Sequence, residues 1–377
     1  VGHGRIIKGG FALGGPLELK VSLVRLPFLA PFTTSFGTEA ERMALILEME
    51  ADGIKAYAES VTSVGPYYSY EDNETALHVI KDYLAPELKA LPSAVEFLER
   101  TERIKGHNMA KASVEMLLWD YHTKVKGEPL STALGRSKGY ADVGISLGID
   151  RPEATLKRVG EALSRGYKRI KLKIERGKEY EIVKNVRDAY PDAHLSADAN
   201  SCYTLKDKDA LKRLDAFNLV YLEQPLEHDD LLDHSKLARE LSTPICLDES
   251  ITSPERATQA FELKAAKVIN IKPGRVGGLV NSKRIAEITR ENGGDVWVGG
   301  MLETGIGRAF NVAFASLELI DYPGDTSPND KYFARDVVKN PFMMTEGTIR
   351  PNRGPGIGVE VDTEFFAQST VKSWKLL

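Results

Sequence analysis

Three carboxylates recur at one interval along this chain: Asp198, Glu223 and Asp248 stand 25 residues apart. Each closes a short apolar run that reads as a buried strand: His194-Leu-Ser-Ala-Asp198, Leu219-Val-Tyr-Leu-Glu223 and Ile245-Cys-Leu-Asp248. A lysine, Lys272, closes a fourth run (Val268-Ile-Asn-Ile-Lys272), 24 residues further on. About 25 residues accommodate a short strand, a helix and two turns. The interval therefore predicts successive β/α units, each with a charged group at the C-terminal tip of its strand. In a parallel barrel those tips meet at one mouth, where chemistry is done. Three acids meeting there repel one another unless a hard cation lies between them.

The same alternation predicts strands near 143–149, 169–174, 194–200, 219–225, 245–250, 267–273 and 296–302. Helices fill the gaps, as at Pro152–Ser164 and Pro254–Lys264. An eighth strand near 318–322 is only weakly marked. Upstream the pattern differs. Residues 17–62 alternate as strands with an Asp52-Gly53 turn signal, and 72–125 take a helical period, including Lys111–Val125. Strands followed by helices predict an α+β domain. The Gly/Pro-rich tail from about 331 carries one alternating stretch, Val359–Val361, which is expected to pack back on that domain.

Side chains alternate along a strand, so parity decides which residues share the barrel interior. Lys171 and Lys173 face in together, as do Ser196, Asp198 and Asn200; Tyr221 and Glu223; Cys246 and Asp248; and Asn270 and Lys272. Glu249 is expected to face the other way. Ile170, Leu172 and Ile174 imply a strand whose outer face is buried, which leaves Lys171 and Lys173 only the barrel centre. The acids then occupy one arc, flanked by Lys171 and Lys173 on one side and Lys272 on the other. A substrate carboxylate held at the acids would have one lysine on each side of its α-carbon, the arrangement that proton abstraction needs. A neighbouring lysine and a divalent cation both lower the pKa of a lysine base. The bland alternative is a structural ion-pair network.

Several classes are excluded. The net charge of −4 offers no basic surface for nucleic acid. No apolar run approaches the roughly 18 residues of a membrane span, and the first ten residues lack the apolar core of a secretion signal. Two cysteines make no disulfide framework and fit a reducing, cytoplasmic setting. The histidines show no zinc-site spacing. No phosphate-binding Gly-rich loop is present, and Gly274-Arg-Val-Gly-Gly278 reads as a tight turn after a strand. Cys246 reads as a small interior hydrophobe.

Taken together, Lys171-x-Lys173, Asp198-x-Asn200, Glu223-Gln-Pro225, Asp248-Glu-Ser250, Lys272-Pro-Gly and Gly299-Gly-Met-Leu-Glu-Thr-Gly305 resemble the muconate-lactonising subgroup of the enolase superfamily. Within it the chain is similar to o-succinylbenzoate synthases, specifically the branch that also racemises N-succinyl or other N-acyl amino acids. Pro66-Tyr-Tyr and Arg275 carry that finer likeness. The resemblance implies a modified (β/α)7β barrel at 136–330. It also implies an α+β capping domain at 17–135, preceded by an extension at 1–16 and completed by a C-terminal segment at 331–377. It implies Mg²⁺, or alternatively Mn²⁺, on Asp198, Glu223 and Asp248, with Asn200 and Glu249 in support. Lys173 would be the base on one face and Lys272 its counterpart on the other, with Lys171 touching the substrate carboxylate and Arg275 adjusting Lys272. Ser146, Gly300, Met301 and Glu303 of the barrel, with Phe28 and Phe32 of an aromatic lid, would contact the substrate. That substrate is a small carboxylate, and a homo-oligomer is expected by analogy. Alternatives on the same scaffold are a dipeptide epimerase or a cycloisomerase. A Schiff-base aldolase using Lys272 is a different class, and so is a scaffold that binds metal without turnover.

Overall fold

The computed structural model describes residues 16–34 and 37–377. All but the last residue of the expected N-terminal extension lies outside them. Strands β1 (Glu18–Thr34), β2 (Gly37–Ala51) and β3 (Ile54–Ser60) form an antiparallel meander. Asp52 and Gly53 turn the second hairpin, both at positive φ, as a two-residue hairpin loop requires. Leu19, Val21, Leu45, Leu47 and Ala58 are buried, as are Val114, Leu117 and Leu118 of the helix Asn108–Val125. That helix is buried along nearly its whole length because it lies between this sheet and the second domain. Asp120 on it accepts hydrogen bonds from the Tyr57 and Ile357 N–H groups, both at 2.8 Å.

The short β4 (Ala141–Asp142) leads into seven parallel strands: β5 (Gly144–Leu147), β6 (Arg169–Lys173), β7 (Leu195–Asp198), β8 (Leu222–Glu223), β9 (Ile245–Leu247), β10 (Val268–Ile271) and β11 (Asp295–Val298). They lie side by side in sequence order, with helices in between, as a curled barrel sheet. Register puts Lys173 beside Asp198 and Asp198 beside Glu223, so the charged tips stand level. The strands end earlier than the expected 194–200, 219–225 and 245–250. Asn200, Ser201 and Gln224 adopt left-handed φ and turn the chain out of the ladder just past the acids.

No regular eighth strand forms at 318–322. Instead 321–325 acts as an irregular stave. The Asp321 and Tyr322 N–H groups donate to Val296 O and that of Asp325 to Val298 O, while Gly144 N–H donates to Gly324 O on the other side. Pro323 has no N–H to give to a ladder. Below the mouth, Tyr221, Cys246 and Trp297 pack together, with the Arg169 guanidinium 4.6 Å from the Trp297 ring centre. Cys246 is a packed interior residue, as its sequence setting suggests.

The tail departs from expectation. Val359–Val361 forms no strand and makes a single bridge, Val361 to Val338. After β12 (Thr348–Ile349), which pairs with β4, the segment that reaches the first domain is β13 (Thr370–Lys375), antiparallel to β1. Its exposed Val371 and half-buried Trp374 suit an edge strand better than Val359–Val361, which follows the turn-rich Gly354–Gly358.

Two buried carboxylates of the first domain cross the seam. Glu115 accepts from the Leu279 and Val280 N–H groups, both at 2.9 Å. Glu59 accepts from the Thr304 N–H at 2.9 Å and its hydroxyl at 2.7 Å. Burial pushes both carboxyls up to about 7; for Glu59, Glu303 adds to this and Arg42 opposes it. The folded protein therefore keeps protons that the unfolded chain releases near pH 4.5. Their contribution to stability is complete below that pH and is lost as pH rises through about 7. Each group contributes a slope of at most about 1.4 kcal/mol per pH unit. A Glu59→Gln, Glu115→Gln double variant should lose this part of the slope in thermal melts across that window. An unchanged slope would show that both groups ionise as ordinary carboxyls.

Candidate active site

Lys171, Lys173, Asn200 and Lys272 line one cavity of about 290 Å³ at the C-terminal ends of the barrel strands. Phe32, Ser146, Gly300, Met301 and Asp325 line it too, and the first domain closes it with Arg42 and the 63–68 segment. Phe28 does not reach it: its ring stacks on Phe333, 5.5 Å between centroids. Glu303 turns away as well, pairing with Arg308 at 2.9 Å and accepting from the Met301 N–H and the Asn311 amide. It holds the loop that forms the wall rather than forming the wall.

The centre is a dense charge network. Lys171 Nζ lies 3.1 Å from Asp198, 2.9 Å from Glu223 and 2.9 Å from Asp325. Burial works to strip its proton, but the three acids prevail and hold this ammonium well above the ordinary lysine range. Lys173 donates to Asp198 Oδ2 at 2.6 Å and to Asn200 Oδ1. Across the mouth, Lys272 donates to Asp248 Oδ2 at 2.8 Å and to the Tyr68 hydroxyl at 3.0 Å. Burial presses the Lys272 ammonium down, yet Tyr68 and Glu249 keep it above its ordinary value. Arg275 clasps Asp248 Oδ1 directly and donates to Asn270 O at 2.6 Å and Ile251 O at 2.9 Å. A Cβ on residue 299 would stand 2.9 Å from Lys272 Cε and 2.3 Å from Asn270 Oδ1, so only glycine lets this side chain pass.

The carboxylates behave differently. Burial raises Asp198, but Lys173 and Lys171 more than reverse it and hold that group below the usual range. Glu223 is raised by burial and by Asp198 beside it, the mark of two acids sharing a site. Asn270 donates to Glu223 Oε1 at 2.8 Å, and Gln224 Oε1 accepts from the Asp248 and Ser250 N–H groups. Contrary to its expected parity, Glu249 reaches the site: it lies beyond the end of β9, where alternation no longer applies, and accepts from Asn200 Nδ2 at 3.0 Å.

Buried hard-oxygen donors on consecutive tips suit a hard divalent cation. Glu249 Oε2 is buried without a hydrogen-bond partner, spare acceptor capacity at the edge of such a site. Among the described residues, however, no three acids, histidines or cysteines are already gathered around one point. Like charges repel, and each acid is drawn to the nearest ammonium or guanidinium instead. Ion binding therefore requires Asp198, Glu223 and Asp248 to exchange cationic partners. Two contributors were not singled out from sequence, Asp325 and Arg169, which donates to Asp325 at 2.7 Å, and Tyr68 was marked only through its motif, without a role at the lysines. Tyr68 sits in the Pro66-Tyr-Tyr stretch. Asp325 lies on the irregular stave, where no period exists to assign its side.

Comparison with known proteins agrees with this architecture. Residues 17–135 match the N-terminal domain of the mandelate racemase / muconate lactonizing enzyme family, and 154–365 match its enolase C-terminal domain-like partner. An o-succinylbenzoate synthase from Geobacillus stearothermophilus is 45% identical over 343 residues, covering 90% of this chain and 92% of the relative. An N-succinylamino acid racemase from Amycolatopsis sp is 43% identical over 356 residues, covering 93% and 96%. The crystal structure of an enolase superfamily member from Listeria innocua superposes with a TM-score of 0.92 at 36% identity, covering 96% of this chain and 98% of that one. A capped parallel barrel with two lysines facing each other across a row of acids, and relatives this similar along nearly the whole length, make the chain a member of the enolase superfamily, in the family of o-succinylbenzoate synthases and N-succinylamino acid racemases.

Proposed function

We propose that this protein removes the proton α to the carboxylate of a small acid, and that this one step serves both dehydration to o-succinylbenzoate and racemisation of N-succinylamino acids. The observation that carries the reading is the placement of Lys173 and Lys272 on opposite flanks of Asp198, Glu223 and Asp248, with both lysines opening on one cavity. The relatives' activities support the choice of substrates.

Lys171, kept charged by its three acids, attracts the substrate carboxylate. Lys173 takes the α-proton from one face. Lys272, an ammonium beside Tyr68, faces the developing negative charge and can return a proton from the other side. For dehydration Lys173 takes the α-proton and, as the ammonium so formed, returns a proton to the departing hydroxyl, which leaves as water; for racemisation the lysines act in turn. Asp198, Glu223 and Asp248 would hold Mg²⁺, which when bound neutralises the carboxylate and acidifies the α-carbon.

The test is the ratio of kcat/KM for the o-succinylbenzoate precursor to that for an N-succinylamino acid, both with Mg²⁺. Turnover of both is expected. If neither reacts, the substrate assignment is wrong, and dipeptides and lactone-forming dienoates become the next substrates to try.

A further inference from the structure

The two catalytic lysines are held by different means. Lys173 is the last residue of β6 and is paired in register with Asp198, so the sheet itself fixes its backbone. Lys272 lies one residue past β10 and belongs to the turn Lys272–Gly278. That turn is tightly wound: the Arg275 N–H donates to Lys272 O at 2.9 Å and the Gly278 N–H to Pro273 O at 2.8 Å. A shift at its far end is therefore carried back to the lysine.

The far end is fastened to the first domain. The helix that follows, Leu279–Glu291, has Gly278 at its N-cap and so no side chain of its own to receive its first N–H groups. Glu115, on the helix Asn108–Val125, receives them instead, from Leu279 and Val280 at 2.9 Å each. Its carboxyl group is fully buried and steadied by the Trp119 indole N–H at 2.8 Å. The turn is shaped for this approach. A Cβ on residue 278 would stand 2.2 Å from Glu115 Oε2, and one on residue 274 would stand 2.3 Å from Val61 Cγ2, also of the first domain.

From this geometry we infer that Glu115 is a positioning residue for Lys272, so that docking of the first domain sets one catalytic lysine and leaves the other to the barrel. The inference rests on the two-lysine reading above. It predicts an asymmetric defect, which a general loss of stability would not produce.

The experiment follows exchange of the α-hydrogen for deuterium in D₂O from each enantiomer of an N-succinylamino acid by NMR, with Mg²⁺. It compares wild type, Glu115→Gln and Lys272→Ala, the last identifying the enantiomer that depends on Lys272. Glu115→Gln should slow exchange of that enantiomer by about tenfold or more, since small misplacements of a catalytic group cost rate steeply. The other enantiomer should stay within about threefold of wild type. The Leu279 and Val280 amides should also exchange faster with solvent. Should the glutamine variant not fold, Glu115→Asp, one methylene short of reach, should show the same asymmetry. Equal slowing of both enantiomers, or unchanged protection of the two amides, overturns the inference. Failure of the wild type to exchange either enantiomer would instead overturn the proposed reaction, while the amide measurement would still decide whether Glu115 holds the turn.

Discussion

Replacing Lys173 with alanine is expected to slow dehydration, and α-proton exchange from the enantiomer that Lys173 deprotonates, by about 10²–10⁴-fold, the range that a positioned base supplies. The fold should survive. Asp198, which loses its 2.6 Å partner, keeps Lys171 at 3.1 Å, so no buried charge is stranded. Deuterium incorporation measured by NMR, alongside a thermal melt, separates the two effects. Exchange near the wild-type rate with an intact melt would remove Lys173 from the chemistry. Lys272→Ala should act differently, abolishing racemisation while leaving exchange on the Lys173 face detectable.

Chelation of the divalent cation is expected to cost about 10³-fold in rate, because charge stabilisation by a bound metal is worth several kcal/mol and each 1.36 kcal/mol is tenfold. The protein should nevertheless stay folded. Asp198, Glu223, Asp248, Glu249 and Asp325 sit among Lys171, Lys173, Lys272, Arg169 and Arg275, so the site carries a cationic group for each acid. The melting temperature should fall only by what mass action withdraws, about 2.7 kcal/mol from a ligand at a hundredfold excess over its Kd. Activity should return with Mg²⁺. Unfolding on chelation would show that the ammonium groups do not balance the acids.

How much of this was legible in the sequence depended on regular backbone. Where strands persist, parity placed side chains well: Lys171 and Lys173 on β6, Glu223 on β8 and Asn270 on β10 all turn into the barrel. Where the ladder stops, parity lost its meaning, as for Glu249 beyond β9. The irregular stave hid Asp325 for the same reason, and Tyr68 comes from a loop whose path no period encodes. The lid was legible as a composition but not residue by residue, since Phe32 reaches the cavity and Phe28 turns to Phe333. Competition for Asp248 could not be read at all, because it depends on Arg275 and Lys272 arriving at opposite oxygens of one carboxylate.

The pairing of β1 with β13 joins segments that leave the ribosome far apart in time: Ser22 and Ser373, 351 positions apart in sequence, sit hydroxyl to hydroxyl at 3.1 Å. While the barrel strands are still being made, β1 has β2 on one side and an open edge on the other, a template for pairing with another nascent chain. Lys20, exposed on that strand, and Lys372 and Lys375 on its late partner are the kind of charge that discourages such a mismatch. A strand made about 350 residues later thus closes this edge, and the yield of active protein in a cell should depend on how long it stays open.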